Sequence, residues 1–476
     1  MKLGLVSLGC DKNTVDSERV LSVLAGHGAE HVSDLAHAEV ILVNTCGFID
    51  AAKEESIATL LEMGRLKETG RCRAVVAVGC LVERYREELK PALPEVDLFV
   101  GLRDVERLVP ELLARGLLEE SVAPHPGDRT PIADRRHVRY LKISEGCDHG
   151  CAFCAIPLWR GRHRSFETDR LVAEAQRLEA QGAVEINLVA QDLAHYGRDL
   201  RDGTGLASLL RRLLDETDVP WFRLLYIYSA GLREPLVRLI AEEPRIVPYL
   251  DVPIQHASDA VLSRMRRPER QATLRSRIAW LRDSIPDLTL RTTVLVGFPG
   301  ETDSDFRELL DFMEDVEFDR LGAFSFSPQD GTRAMDLRAD FLPEGLGTER
   351  LEELLEVQRA ISAGRLARQI GRRVPLIVDE AGRTAVGRTW GQADDVDGVT
   401  LVDGGEGLSV GAIYEAEIVA ADDYDLRADP LTELRPAPRV APSADARQMG
   451  APSATAADGR RSLPVLPLGL EAVWGR

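Results

Sequence analysis

Through the first 118 residues, short apolar runs alternate with longer stretches whose apolar positions recur at helical intervals. The run at 3–8 is followed by 12–28, where Val15, Val20, Leu21 and Leu24 keep helical spacing. Runs at 39–44, 74–78 and 99–101 predict further strands, and 51–66 predicts a second helix. Strands alternating with helices in this way build a parallel sheet covered by helices, so the segment 1–118 reads as a doubly wound α/β domain.

The stretch 119–136 is rich in Pro, Asp and Arg and reads as a linker. Alternation then resumes. Runs at 139–143, 185–189, 222–227, 249–252, 289–296 and 321–325 predict strands, with helices at 168–181, 301–314 and 349–369. Six such units over 137–369 predict a partial (βα) barrel, with its chemistry at the carboxyl ends of the strands. Short β runs at 374–378, 399–402 and 414–419, parted by Gly and Asp, predict a small OB-like β-barrel over 370–434. The aperiodic Ala/Pro/Ser/Arg-rich tail 435–476 is expected to be disordered.

The cysteines give this frame its chemistry. Cys147, Cys151 and Cys154 share one loop just after the first barrel strand. Zinc sites favour C-x2-C pairs and need a fourth ligand, and ordinary ferredoxin clusters take four cysteines. Three thiolates alone hold three irons of a [4Fe–4S] cube and leave the fourth open; zinc remains the alternative. Phe153 beside the last cysteine fits a stacking role. Cys10, Cys46 and Cys80 are far apart in sequence, yet each lies just beyond a predicted strand, where a parallel sheet gathers its ligand sites. Each also adjoins a glycine. They read as a second metal site, with three small buried hydrophobes as the alternative. Cys72, between Arg71 and Arg73, reads as a surface thiol, and His256 as either a polar site residue or a core histidine.

The loop Cys147-Asp-His-Gly-Cys151-Ala-Phe-Cys154 resembles the signature of radical S-adenosylmethionine (SAM) enzymes. Together with the strand-end trio, the chain over about 1–430 resembles the methylthiotransferase family. The resemblance implies two [4Fe–4S] clusters and SAM as cofactors, with the six cysteines as ligands and a third domain of TRAM type. It makes Phe153, Gln191, Arg291, Gly297, Gly300 and Glu301 candidate SAM contacts; no catalytic residue is assigned beyond the cluster ligands. It also implies an electron donor such as flavodoxin or ferredoxin.

Within the family, the run Tyr249-Leu-Asp251-Val-Pro253-Ile-Gln255-His256-Ala257-Ser258 resembles the branch that modifies a ribosomal protein rather than the tRNA-modifying branch. The implied reaction is methylthiolation of an aspartate β-carbon in the twelfth protein of the small subunit, with a second SAM giving the methyl group. Charge points the same way. The chain carries a net −19, and residues 372–427 hold 5 Arg against 12 acidic residues, a formal −7. An acidic barrel suits a basic protein better than a phosphate backbone, so tRNA is the weaker expectation. No apolar run approaches the ~20 residues of a membrane span, and metal–thiolate chemistry fits a cytoplasmic protein.

Overall fold

The computed structural model describes residues 1–119, 129–132 and 136–438. Most of the expected linker and nearly all of the expected tail lie outside the described residues.

Five parallel strands form the first sheet: β1 (Lys2–Ser7), β2 (Glu30–His31), β3 (Val40–Thr45), β4 (Ala74–Gly79) and β5 (Leu98–Gly101), in the order β2-β1-β3-β4-β5. Helices Asp11–Gly26, Asp50–Thr69 and Cys80–Ala92 connect them. β3 and β4 are buried along their whole length because apolar side chains leave both faces. Leu42 and Val76 enter one core, Val43 and Ala77 the other. Cys72 lies under this second face. Contrary to the expected surface thiol, it is buried, and burial pushes its pKa up; its Sγ donates to Ala74 O at 3.4 Å. Two flanking arginines pointing outward did not carry the cysteine out with them.

The central domain is an open, all-parallel sheet of six strands. These are β6 (Val138–Lys142), β9 (Glu185–Val189), β10 (Trp221–Leu224), β11 (Ile246–Asp251), β12 (Thr289–Val296) and β13 (Arg320–Ser325), ordered β13-β12-β11-β10-β9-β6. Two short strands, β7 (Ser144–Glu145) and β8 (Arg164–Ser165), pair at the base of the cysteine loop.

The third domain is a closed five-stranded barrel of β14 (Arg373–Glu380), β15 (Thr384–Thr389), β16 (Thr400–Asp403), β17 (Ile413–Ala421) and β18 (Leu426–Arg435). It docks on the inner face of the open sheet. Ile377, Ala393 and Ile413 share a core with Val189, Trp221, Leu225, Val247 and Tyr249. A buried ionic chain specifies the fit. Arg388 bonds Asp379 at 2.7 Å and Glu185 at 2.8 Å, Glu185 takes Arg223 at 2.6 Å, and His137 meets Asp379 at 2.9 Å. Such chains add little net stability but penalise any docking that leaves one charge unpaired.

Candidate functional site

The strand-end cysteines converge. Cys10 caps helix Asp11–Gly26, Cys46 follows β3, and Cys80 opens helix Cys80–Ala92. Two glycines make the approach possible. Gly9 has φ +91°, and a Cβ there would lie 3.0 Å from Cys46 Sγ. Gly79 has φ +106°, and a Cβ there would lie 2.4 Å from Asn44 Oδ1. Ser56 pins Cys46 by accepting from its N–H at 3.0 Å and donating to its carbonyl at 2.9 Å. Burial, with Cys80 and Cys10 adjoining, pushes the Cys46 thiol up to about 12. Burial pushes Cys80 up to about 11 against the pull of Arg160.

The second trio sits on the loop closed by β7 and β8. Cys147 N–H donates to Gly161 O at 3.1 Å, and Ala152 is fixed between Met265 O at 2.9 Å and the Ala334 N–H at 2.8 Å. His149 Nε2 bonds Asp192 at 2.8 Å, and its ring stacks between His195 and Tyr228, with centroids at 4.3 and 4.4 Å. Arg267 Nη1 stands 3.9 Å from Cys151 Sγ. Burial lifts Cys147 to about 11 and Cys154 to about 12, with the neighbouring thiols adding to both. Cys151, His149, Asp192, His195 and Tyr228 help line a cavity of about 340 Å³.

The segment that follows the second trio packs against the first. Arg160, six residues after Cys154, donates to Asn13 Oδ1 at 2.6 Å and to Cys80 Sγ at 3.4 Å, while its other nitrogen bonds Asp16 at 3.2 Å and Glu145 at 2.9 Å. Glu145 also accepts from Lys142 at 2.8 Å and from Gln191 at 3.2 Å. Burial opposes its ionisation, but Lys142 and Arg160 outweigh burial and hold its carboxyl well below the usual range. Seven free thiols, six of them in two converging sets of three, form a donor set suited to iron–sulfur clusters. The six cysteines also hold no disulfide among them.

The remaining candidates are placed as follows. Gln191 joins the interface through Glu145, and its buried Oε1 has no hydrogen-bond partner. Phe153 packs with Phe298 in a small apolar cluster beside Ala152 and Met265. A Cβ on Gly297 would lie 2.9 Å from Gly347 Cα, so packing calls for glycine there, while Gly300 has φ +78°, which favours glycine whatever the space. Glu301 holds that turn: it pairs with Arg350 at 2.9 Å and accepts from Phe298 N–H at 3.2 Å, and burial pushes it up to about 7. Arg291 pairs with Asp251 at 3.0 Å on the neighbouring strand. His256 is fully buried, and burial pushes it down to about 3. Its Nδ1 accepts from Ser258 N–H at 2.9 Å and its Nε2 lies 3.6 Å from Glu301. Lys12, Asn13, Glu145 and Arg160 were not singled out by sequence reasoning. The one available signal was position, since each lies within six residues of a cysteine of interest.

Family models match all three parts: "Uncharacterized protein family UPF0004" over residues 2–101, the Radical SAM superfamily over 141–313, and the TRAM domain over 370–431. The open parallel sheet with its three-cysteine loop thus belongs to a radical SAM protein. A ribosomal protein uS12 methylthiotransferase RimO from Anaeromyxobacter sp. (strain K) is 45% identical, over 93% of this chain and 97% of that protein. Its counterpart from Desulforudis audaxviator is 44% identical, over 91% and 98%. The chain belongs to the RimO family. Among solved structures, the radical SAM methyltransferase TsrM from Kitasatospora setae, with cobalamin and a [4Fe-4S] cluster bound, shares the fold. The TM-score is 0.52 at 14% identity, over 75% of this chain and 90% of that one. No helix among the described residues is long and apolar enough to cross a membrane.

Proposed function

We propose that this chain is a radical SAM methylthiotransferase that modifies the β-carbon of an aspartate in ribosomal protein uS12. The observation that supports the reading is the presence of two free three-cysteine sets, with Arg160, six residues after Cys154, donating to Asn13 and Cys80 beside the other set. One [4Fe–4S] cluster would be held by Cys147, Cys151 and Cys154, and the other by Cys10, Cys46 and Cys80. When bound, the clusters and SAM supply a radical that takes hydrogen from the target carbon, and the sulfur and methyl group that replace it.

The chain's own groups position and shield this chemistry. Arg160, held by Glu145, links the segments that carry the two cysteine sets. Phe153 and Phe298 share one apolar cluster with Ala152, the residue between Cys151 and Phe153 on the cysteine loop. Gln191 offers an unspent carbonyl oxygen beside the same loop. Glu301 and Arg350 hold the turn 297–301 in place. The three domains are taken as 1–118, 137–369 and 370–434. Supporting a protein substrate, the third domain is acidic and uses its arginine Arg388 for docking rather than for a ligand. A cytoplasmic location and a flavodoxin- or ferredoxin-type reductant complete the reading.

The test is reductive, anaerobic incubation of reconstituted protein with SAM and uS12. Wild type is expected to form 5′-deoxyadenosine and methylthiolated uS12, and Cys46→Ala to form no methylthiolated product. Full methylthiolation by Cys46→Ala would sink the two-cluster reading.

A further inference from the structure

Four buried cationic side chains border the interface between the cysteine sets: Lys12, Lys142, Arg160 and Arg291. Three are spent on acceptors. Lys142 bonds Asp16 and Glu145. Arg160 bonds Asn13, Asp16, Glu145 and the Cys80 sulfur. Arg291 pairs with Asp251.

Lys12 differs. It is 8% exposed, two residues after Cys10, and its ammonium stands 3.3 Å from the centre of the Tyr226 ring. Among the described residues its side chain donates no hydrogen bond to any oxygen. Asp11, Asp251 and Cys10 stand close enough to act on its charge, but both acids hydrogen-bond elsewhere: Asp11 accepts from Tyr226 OH at 3.1 Å, and Asp251 takes Arg291. Tyr226 itself has φ +65°, a conformation costly for an aromatic residue, and its ring lies beneath the lysine. An aromatic face repays only part of the cost of burying an ammonium, which leaves its N–H donors ready for an anion.

We propose that Lys12 is the receptor for the side-chain carboxylate of the aspartate that is modified. The inference rests on the proposed function and deepens it. The carbon that gains sulfur is bonded directly to the carboxyl carbon of the same side chain. A target carbon brought to the Cys10 trio therefore carries its carboxylate to within reach of the residue two places beyond Cys10. The other carboxylate source is SAM, whose place in the reading is at the opposite trio.

The experiment compares uS12 carrying its target aspartate with uS12 carrying asparagine there, on wild type, Lys12→Met and Lys12→Arg. Methionine keeps the length and apolar stem without the charge. Wild type is expected to prefer aspartate, both in kcat/KM and in anaerobic binding of labelled uS12 measured without reductant. Lys12→Met is expected to lose about 30-fold or more in kcat/KM on the aspartate form, the cost of truncating one partner of a buried charge pair. Its binding should no longer distinguish the two forms, whereas Lys12→Arg keeps part of the preference. If Lys12→Met does not fold, the Lys12→Arg ratio decides: a reduced but remaining aspartate preference at normal SAM affinity supports the carboxylate site, and an undiminished preference, or loss of SAM affinity with the preference intact, overturns it. An unchanged aspartate preference in a folded Lys12→Met, beside an active wild type, overturns the role of Lys12. A wild type that leaves uS12 unmodified counts against the function instead.

Discussion

Arg160 Nη2 lies 3.4 Å from the sulfur of Cys80, although the two residues stand 80 positions apart and in different domains. The arginine leaves the polypeptide just after the second cysteine loop and ends at the first. Its donors also meet Asn13, Asp16 and Glu145, so one guanidinium links the segments that carry both thiol sets.

Replacing it is therefore costly even without metal. Arg160→Met leaves Glu145 and Asp16 with less positive charge in a buried site, and is expected to destabilise the apoprotein by roughly 3 kcal/mol. Arg160→Lys should recover part of that. Denaturant unfolding of anaerobically purified apoprotein measures both, and an unshifted midpoint in Arg160→Met contradicts the bridge.

Metal content separates the two sets. Reconstituted wild type should bind about eight irons per chain, and removal of either cysteine trio by alanine about half that number. Each cysteine set loses only small, weakly bonded side chains, so both triple variants should stay folded. A variant lacking Cys10, Cys46 and Cys80 that keeps the full iron load would show the trio to be three buried hydrophobes.

Docking of the third domain should be sensitive to acid. Burial opposes ionisation of Asp379, but Arg388 and His137 outweigh burial and hold its carboxyl below the usual range. A carboxylate depressed in the folded state stabilises above its unfolded pKa, near 3.8, and loses that contribution as pH falls through and below it. Asp379→Asn should thus be less stable than wild type by about 3 kcal/mol at pH 7. The gap should narrow progressively below about pH 4. Urea denaturation across this range reads it, and a gap independent of pH contradicts the assignment.

How much of this was legible in the sequence depended on distance along the chain. The Cys147 loop is contiguous and needs no fold to be seen. The Cys10 trio needed one inference, that apolar runs before each cysteine are parallel strands, and β1, β3 and β4 bear it out. β15 and β18 gave no clear signal. β18 alternates only weakly, contains Pro430 and is exposed over much of its length, so no strand run showed there although nearly all of it lies in the segment assigned to the barrel. The interface charges were out of reach altogether, because Arg160, Lys12 and Glu145 acquire partners only when domains meet. Arg291 shows the same limit: the strand position was legible in the sequence, but its ion pair with Asp251 on the neighbouring strand was not.

The central claim is tested most directly by offering one anaerobic reaction two substrates. Reconstituted protein with SAM and a reductant is given uS12 and tRNA together, and both are analysed by mass spectrometry. A methylthio group on an aspartate of uS12, and none on tRNA, is the predicted result. A methylthio group on tRNA alone would contradict it.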